Sequence, residues 1–298
     1  MRVARIVLCA SLSLALLGLR GSRDLPALDG YTITWEPEHP LEGSLVRVIL
    51  TPRPGRTDAP ARIRGALAGE PLHFERTDAG GLTAVAAVPL DSPDSTRLAL
   101  VAVPARETTF VSIAVTARAT DLERLRVAER FVRPPDSALA VRLRREQRLV
   151  RRVLRTSHER PRLWREPFAQ PRSGRITSPF GQSRELNQDS SVRRHRGTDF
   201  DGERGAPVRA ANRGVAALVA DLYYAGTTVY LDHGAGLTTG YLHLDRAAVA
   251  VGDTVEREQL IGHVGASGRV TGPHLHWSAF YGRVVFDPLD LLTLPAAP

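Results

Sequence analysis

The amino-acid sequence predicts a mainly β protein with two β regions joined by one short helix. Three observations support this class. Apolar and polar residues alternate in short runs over most of the chain, turns rich in Gly, Pro, Asp and Ser separate these runs, and a helical repeat occurs near the middle. With 298 residues, of which 43% are hydrophobic, the chain suffices for one large domain or two ordinary ones.

The first segment, residues 1–22, has the features of a secretory signal peptide or signal anchor. Arg2 and Arg5 precede an apolar run at residues 6–19, which is short for a membrane span but suits an export signal. No small-residue cleavage pattern follows, so the sequence leaves open whether the signal is removed. Cys9, the one cysteine, lies inside this segment, so the rest of the chain has neither a disulfide nor a thiol. We expect an exported protein of the periplasm or cell envelope, possessing a membrane anchor if the signal stays uncleaved.

Residues 30–134 predict an immunoglobulin-like β-sandwich. Stretches such as SLVRVILTP and TTFVSIAVTAR alternate in polarity, and PRPGRTDAP, TDAGG and DSPDS are turn sequences between them. About seven short strands in about 100 residues are typical of this sandwich. His39 and His73 stand alone in this region, so we expect neither to bind a metal.

Residues 136–165 predict a connecting helix. Apolar residues recur there at roughly helical spacing, and Asp136 and Ser137 suit the position that caps a helix start. The same stretch holds nine arginines between positions 142 and 162. A solvated helix explains these charges, and a weak contact with an anionic envelope surface is compatible with it.

The composition of the chain excludes several functions. The formal net charge is +8, and all 40 basic residues are arginine. Without lysine there is no Schiff-base chemistry and no P-loop. The stretch VGDTVEREQLIGHVG has a sequence pattern like that of a biotinyl or lipoyl carrier domain, but such a carrier needs a lysine to which the cofactor is attached. Aromatic residues make up 6% of the chain, too few for base stacking, so we predict no nucleic-acid partner. The oligomeric state is not predicted.

A second β domain is predicted at residues 170–294, and six of the nine histidines of the chain fall within it. Three segments carry the candidate residues: HRGTDF with His195 and Asp199, YLHL with His243, and GPHLHW with His274 and His276. A catalytic zinc takes three nitrogen or oxygen ligands from the protein and leaves one position for water. His195, Asp199 and one histidine of the HxH pair supply that set. The other two histidines suit proton transfer, because imidazole titrates near neutral pH.

The segments HRGTD, YLHL and SGRVTGPHLHW, in this order, resemble the lysostaphin-type (LytM-like) zinc metalloendopeptidases, which cut peptide bonds in peptidoglycan. The resemblance extends over residues 174–292 and includes ITSPFGQSR and VGDTVEREQLIGHVG. It implies an antiparallel β peptidase domain with a duplicated hybrid motif and an open groove. It also implies the following site: one Zn²⁺ bound by His195, Asp199 and His276, with His243 and His274 as catalytic histidines.

The resemblance further implies a function. Such an enzyme hydrolyses peptide cross-links of bacterial peptidoglycan, with zinc-bound water attacking the scissile carbonyl while two histidines assist. The N-terminal sandwich resembles the arrangement of exported Gram-negative members, which favours a diaminopimelate cross-link over a glycine bridge. The alternative is a catalytically silent cell-wall binding protein or an activator of other hydrolases. Because all five site positions are filled, we favour an enzyme.

The chain departs from the family pattern at two places. WSAFYG follows the HxH pair in place of an acidic or glycine-containing continuation, which we expect to affect strand packing more than the metal. Glu258 stands where a glycine is common at a turn. His233 and His263 lie beside glycines, and we expect both to be structural. Candidates to hydrogen-bond the ligand histidines are Asp201, Glu203 and Asp232.

Overall fold

The computed structural model describes residues 28, 30–55, 62–103, 108–187 and 191–296. Strands dominate these residues, and one α-helix separates two β regions, so the predicted mainly β class is confirmed. The predicted signal segment and Cys9 lie outside the described residues. Within the described ranges, no helix has the length and apolar character needed to cross a membrane.

Eight strands of the N-terminal region form two antiparallel sheets. They are β1 (Tyr31–Glu36), β2 (Leu45–Pro52), β3 (Arg62–Leu67), β4 (Glu70–Pro71), β5 (Glu75–Arg76), β6 (Leu82–Ala87), β7 (Ser95–Val103) and β8 (Thr108–Ala114). One sheet has the order β1-β2-β6-β5 and the other the order β4-β3-β7-β8. Val48 and Leu50 of the first sheet share a buried core with Leu98 and Leu100 of the second. The two sheets therefore enclose a sandwich core, as the alternating sequence predicts.

A ninth strand, β9 (Leu122–Leu125), and the single α-helix of the described residues, α1 (Ser137–Thr156), follow the sandwich. The Asp136 carboxylate accepts a hydrogen bond of 2.8 Å from the Leu139 backbone N–H, and so caps the helix start as expected. Most of α1 is exposed, but Val153 is buried against the second β region. The helix ends before the predicted bound at residue 165. A 3-10 turn, Ser157–Glu159, follows it.

The C-terminal region is built around one large antiparallel sheet. Its strands and their neighbours are β10 (Ile176–Ser178), β11 (Ser183–Leu186), β12 (Arg193–Arg194), β13 (Thr198–Asp201), β14 (Pro207–Arg209), β15 (Gly214–Leu222), β16 (Gly226–Gly234), β17 (Leu237–Ala247), β18 (Thr254–Val255), β19 (Leu260–Val264), β20 (His274–Tyr281) and β21 (Val284–Phe286). The main order is β10-β13-β20-β17-β16-β15-β18, with β14, β19 and β21 pairing to its side. Short 3-10 turns lie at Glu129–Phe131 and Pro288–Thr293.

Strand β9 pairs with the C-terminal region, although the predicted sandwich segment, residues 30–134, includes it. It lies parallel to β11, with Leu122 opposite Ser183, and β12 completes this small sheet. Just beyond β9, the Asn187 side-chain oxygen accepts a hydrogen bond of 2.8 Å from the Val127 backbone N–H. The chain between the sandwich and the helix is therefore attached beside β11.

Three neighbouring strands, β13, β20 and β17, position the candidate residues. Phe200, Leu275 and Trp277 are fully buried under these strands. Because successive side chains of a strand point to opposite faces, Asp199 and His276 project to the other face. The buried aromatic and leucine side chains therefore fix the strands on which the polar residues stand.

The fold also brings two histidines together where the sandwich meets the C-terminal region. His73 Nε2 lies 2.9 Å from His158 Nδ1, and His158 Nε2 lies 3.1 Å from Glu70 Oε2. Arg283 donates a hydrogen bond of 2.9 Å to the other oxygen of Glu70. The prediction that His73 stands alone is therefore wrong, because the turn after α1 carries His158 to it. We call Glu70, His73 and His158 the interdomain cluster.

Candidate metal centre

Strands β13 and β20 place the acidic and histidine candidates on one face. Asp199 lies opposite His276, and Asp201 lies opposite His274. Directly opposed residues point to the same face of a sheet, and so do residues two apart in one strand. The spacing of the HxH pair therefore directs both rings to the face that bears Asp199. His195 reaches this face from the turn before β13.

Three side chains converge on one point, and they are the predicted metal ligands. Asp199 Oδ1 lies 2.8 Å from His276 Nδ1 and 3.2 Å from His195 Nε2. The two ring nitrogens lie 3.0 Å apart. All three side chains are almost fully buried, and their ligand atoms form a group that could hold one metal ion. We call these residues the ligand cluster.

The remaining nitrogen of each histidine in the ligand cluster contacts the protein. His195 Nδ1 lies 2.9 Å from the Pro179 carbonyl oxygen, so Nε2 is the nitrogen that faces Asp199. His276 Nε2 lies 3.1 Å from Ser278 Oγ. Ser278 belongs to WSAFYG, whose Trp277 and Tyr281 are fully buried, in agreement with the expected effect on packing. The Ser278 hydroxyl adds a contact with a ring of the ligand cluster that the sequence did not predict.

An arginine holds the second oxygen of Asp199. Arg184 donates one hydrogen bond of 2.7 Å to Asp199 Oδ2 and another of 2.9 Å to Glu123 Oε2. Glu123 Oε2 also accepts a hydrogen bond of 3.0 Å from Ser178 Oγ. Because Arg184 occupies Oδ2, Oδ1 is the oxygen left for the histidines. Glu123 stands on β9, far from the motifs in sequence, and no sequence signal pointed to it.

The acidic residues expected to support the ligand histidines have other partners. Asp201 accepts a hydrogen bond of 2.9 Å from the Arg175 backbone N–H. Asp232 pairs with Arg160 at 2.9 Å, and Glu203 is exposed. The Pro179 carbonyl and the Ser278 hydroxyl take that place instead, and neither has a sequence signature.

Other residues singled out in the sequence lie outside the ligand cluster. His233 is buried, donates through Nδ1 to the Arg213 carbonyl at 2.7 Å, and has Nε2 2.8 Å from Thr239 Oγ1. This agrees with the structural role expected of it, and His263 lies away on β19. Glu258 has a φ of 63°, which explains why a glycine is common at that turn.

His243 reaches the groove through a bulge in β17. The pairing of β17 with β16 shifts between Tyr241 and Leu244, which gives β17 one extra residue there. His243 has a φ of 62°, in the left-handed region that side chains rarely adopt. Its ring centroid lies 5.0 Å from that of His274 and 5.8 Å from that of His276. The bulge thus brings His243 beside the HxH pair.

The two predicted catalytic histidines are each fixed by a backbone carbonyl. His243 Nδ1 donates to the Ser267 carbonyl and His274 Nδ1 to the Gly272 carbonyl, both at 2.9 Å. In the neutral rings Nε2 is therefore the acceptor. His274 Nε2 lies 3.7 Å from Asp199 Oδ1, at the border of the ligand cluster.

Burial sets the charges of the site. It lowers the pKa of His276 to about 4, although the Asp199 carboxylate opposes this. Burial also lowers the pKa of His243 well below its usual value, and His276 and His274 add to the shift. Burial alone would raise the pKa of Asp199, but hydrogen bonds from His195 and His276 bring it well below its usual range. Neutral imidazoles and an ionised carboxylate are the forms that bind a metal.

The ligand cluster fits zinc. Two imidazoles and one carboxylate, with one position left open, are a donor set of catalytic zinc sites. Such ligands, about 2.0–2.2 Å from the ion in a tetrahedron, are roughly 3.3–3.6 Å apart. The separations of 2.8–3.2 Å here need only a small expansion. A Cβ at Gly197 would lie 2.5 Å from His276 Nε2, so the ring requires glycine in the HRGTDF motif.

The ligand cluster opens into a groove of about 690 Å³. The sandwich contributes Leu90 and Asp91 to its walls, and the connecting strand β9 contributes Glu123 and Leu125. The loop between β19 and β20 contributes Arg269. Residues well outside the motif region therefore shape access to the ligand cluster.

The C-terminal region is similar in sequence to peptidases. Residues 193–288 match the model of Peptidase family M23. The chain is 40% identical over 114 residues to peptidoglycan DD-endopeptidase ShyC of Vibrio cholerae, and 43% identical over 103 residues to ShyA of the same species. These alignments cover 38% and 35% of this chain and 26% and 24% of the relatives. The chain thus spans about a quarter of the length of the curated relatives it matches.

One crystal structure resembles the chain over most of its length. It is that of a protein assigned as a peptidase M23 from Pseudomonas aeruginosa, with a TM-score of 0.65 and 25% sequence identity. The alignment covers 85% of this chain and 95% of that chain. The structural similarity therefore extends beyond residues 193–288 into the N-terminal half.

Proposed function

We propose that this protein is a zinc-dependent endopeptidase that hydrolyses peptide cross-links of peptidoglycan. The match of residues 193–288 to Peptidase family M23, in line with the resemblance to lysostaphin-type peptidases, supports this proposal. One observation carries the proposal. His195, Asp199 and His276 converge at the floor of an open groove, with His243 and His274 beside them. The names of the relatives, peptidoglycan DD-endopeptidases, support the substrate class.

His195, Asp199 and His276 would hold the zinc. When bound, zinc supplies Lewis-acid chemistry, because it lowers the pKa of a water molecule and polarises a carbonyl. The protein prepares these ligands in advance: the Pro179 carbonyl orients His195, and Arg184 restrains Asp199. A cluster held in this way loses little freedom when the metal binds.

His243 and His274 are assigned to proton transfer. With Nδ1 of each ring donating to a carbonyl, Nε2 is free to accept a proton from the attacking water. The protonated ring then carries an N–H at Nε2, which donates to the oxyanion or to the leaving amine. His274 Nε2 lies 3.7 Å from Asp199 Oδ1, beside the ligand cluster. The same two rings can thus remove and return one proton.

The place of action and the further contacts are also proposed. The apolar run at residues 6–19 supports export to the periplasm or cell envelope. The many exposed arginines of α1 support a weak contact with an anionic envelope surface. The peptide stems of peptidoglycan are the main partner in this account.

Zinc content and muropeptide release test the function. The purified protein should contain one zinc per chain and release muropeptides from cross-linked peptidoglycan, and removal of the metal should stop the release until zinc is restored. His276→Ala should lack both zinc and activity. His263→Ala, on β19 outside the groove, should keep both.

Two results would contradict the proposal. If His276→Ala released muropeptides as fast as the unaltered protein, the ligand cluster would not be the active site. If the unaltered protein took up no zinc and released nothing, it would be the silent cell-wall binding protein or activator.

A further inference from the structure

Two arginines of the groove differ in their partners. Arg184 is held between two carboxylates, those of Glu123 and Asp199. Arg269 pairs with no carboxylate among the residues that the structure describes. Its Cζ lies 4.8 Å from the centre of the Tyr224 ring. Arg184 is therefore neutralised inside the protein, whereas Arg269 presents its charge to the groove.

Arg269 and His243 are held by neighbouring backbone contacts. Its backbone N–H donates to the Tyr224 carbonyl at 2.8 Å, and the His243 backbone N–H donates to the next carbonyl, that of Ala225, at 2.9 Å. The same loop supplies the Ser267 carbonyl that binds His243 Nδ1. Arg269 and His243 are thus fixed to the same two segments, and both line the groove.

The surroundings of Arg269 favour an anion. Burial lowers its pKa, and the charge of Arg193 adds to this effect. The contact of Cζ with the Tyr224 ring uses the face of the ring and none of the N–H groups of the guanidinium, which are the groups that bind an anion. A carboxylate accepts two parallel hydrogen bonds from such groups and would offset the clustered positive charge.

We propose that Arg269 is the carboxylate-binding residue of the groove, and that it binds a free carboxylate of the peptide on the amine side of the scissile bond. This inference rests on the proposed endopeptidase function. A diaminopimelate cross-link has such a group, because the carbon that bears the scissile nitrogen also bears a carboxylate. A glycine bridge has none, so Arg269 would select between the two kinds of cross-link.

Binding without turnover tests this assignment. The probe is a stem tripeptide that ends in diaminopimelate, which has no cross-link to cut, compared with the same tripeptide amidated at the carboxylate beside the free amine. Calorimetry on the zinc-loaded full chain should show about 10- to 100-fold tighter binding of the free acid. Arg269→Gln should remove this preference, and Arg269→Lys should restore part of it. Arg257→Gln removes an arginine that lies outside the groove, so this variant should keep the preference.

A second experiment measures the hydrolysis of cross-linked dimers in which that same carboxylate is either free or amidated. Arg269→Gln should raise KM for the free acid about 10- to 100-fold and leave kcat and the amidated dimer nearly unchanged. The assignment would be overturned if the unaltered protein bound the two tripeptides with equal affinity. It would also be overturned if Arg269→Gln weakened the binding of both tripeptides by the same factor. If the preference in binding appears but no dimer is cut, the assignment stands and the proposed hydrolysis fails.

Discussion

Among the residues that the structure describes, two clusters each combine two histidines with a carboxylate, and one of the two is built like a metal site. The ligand cluster contains His195, Asp199 and His276, and the interdomain cluster contains Glu70, His73 and His158. Each consists of two imidazoles and one acidic side chain at distances of about 3 Å. Composition and proximity therefore do not distinguish them.

The difference lies in how the nitrogens are used. In the ligand cluster, one nitrogen of each ring contacts a carbonyl or hydroxyl, and the other nitrogens meet around Asp199 Oδ1. In the interdomain cluster, His158 uses Nδ1 for His73 and Nε2 for Glu70, so the contacts form a chain with no shared point. A metal site needs lone pairs that converge, and it needs other protein groups to hold the protons.

The largest contrast is expected from removing the carboxylate charge in each cluster. Asp199→Asn should weaken zinc binding on the order of 1000-fold and abolish muropeptide release, because a neutral amide replaces an ionised ligand. Glu70→Gln should leave both properties unchanged. Because Glu70 is a buried partner of His158 and Arg283, its loss should lower the free energy of unfolding by about 1–3 kcal/mol. Zinc titration and urea unfolding of both variants check this contrast, and it fails if Glu70→Gln also loses zinc.

The next effect separates binding from catalysis within the groove. His243→Asn should keep its zinc but lower kcat by about 100- to 10,000-fold, because the amide cannot take up the proton. Asparagine is suited to this position, since it tolerates the left-handed φ of 62° better than alanine does. Zinc content and kcat are measured on one preparation. Loss of zinc together with activity would place His243 among the ligands instead.

A smaller effect is expected from the residue that restrains Asp199 through Arg184. Glu123→Gln should lower zinc affinity by about 10- to 100-fold, as changes to groups that support metal ligands do. Glu185→Gln is the matched control, because Glu185 pairs with Arg124 across the same strands at 3.4 Å, away from Asp199. It should change the affinity by less than about twofold. Equal zinc affinities in the two variants would show that β9 does not support the ligand cluster.

A buried histidine outside both clusters should affect the stability of the fold and leave function almost unchanged. Burial lowers the pKa of His233 to about 4, below its unfolded value of about 6.5. Between these values the unfolded chain binds a proton that the folded chain does not, so stability falls as the pH falls from 6.5 towards 4. The loss should reach on the order of 3 kcal/mol, and His233→Gln should lack it. Guanidinium unfolding at pH 7 and pH 4.5 measures the difference, and an equal loss in both proteins would contradict it.

The sequence predicted that the residues of the ligand cluster lie together because strand geometry decides much of this arrangement, and their role as metal ligands stays a prediction. The HxH spacing places His274 and His276 on one face, and an antiparallel neighbour brings Asp199 opposite. The family resemblance then assigned the ligand role to His276 and the catalytic role to His274. The alternation of polar and apolar residues likewise predicted the two β regions, and the helical spacing of apolar residues predicted the helix between them.

What the sequence did not predict depends on irregular backbone or on distant segments. Neither the bulge that redirects His243 nor the pairing of His73 with His158 follows from local pattern, because each depends on strand register or domain contact. Glu123 lies 76 positions before Asp199 and reaches it through Arg184 only because β9 pairs with β11. Ser278 was read as a packing residue, since a serine hydroxyl carries no signature of its contact.

A zinc-edge anomalous difference map from crystals of the zinc-loaded full chain tests the central claim most directly. The account predicts one strong peak within about 2.2 Å of His195 Nε2, Asp199 Oδ1 and His276 Nδ1, and none at the interdomain cluster. A peak at Glu70, His73 and His158, or no peak at the ligand cluster, would contradict it.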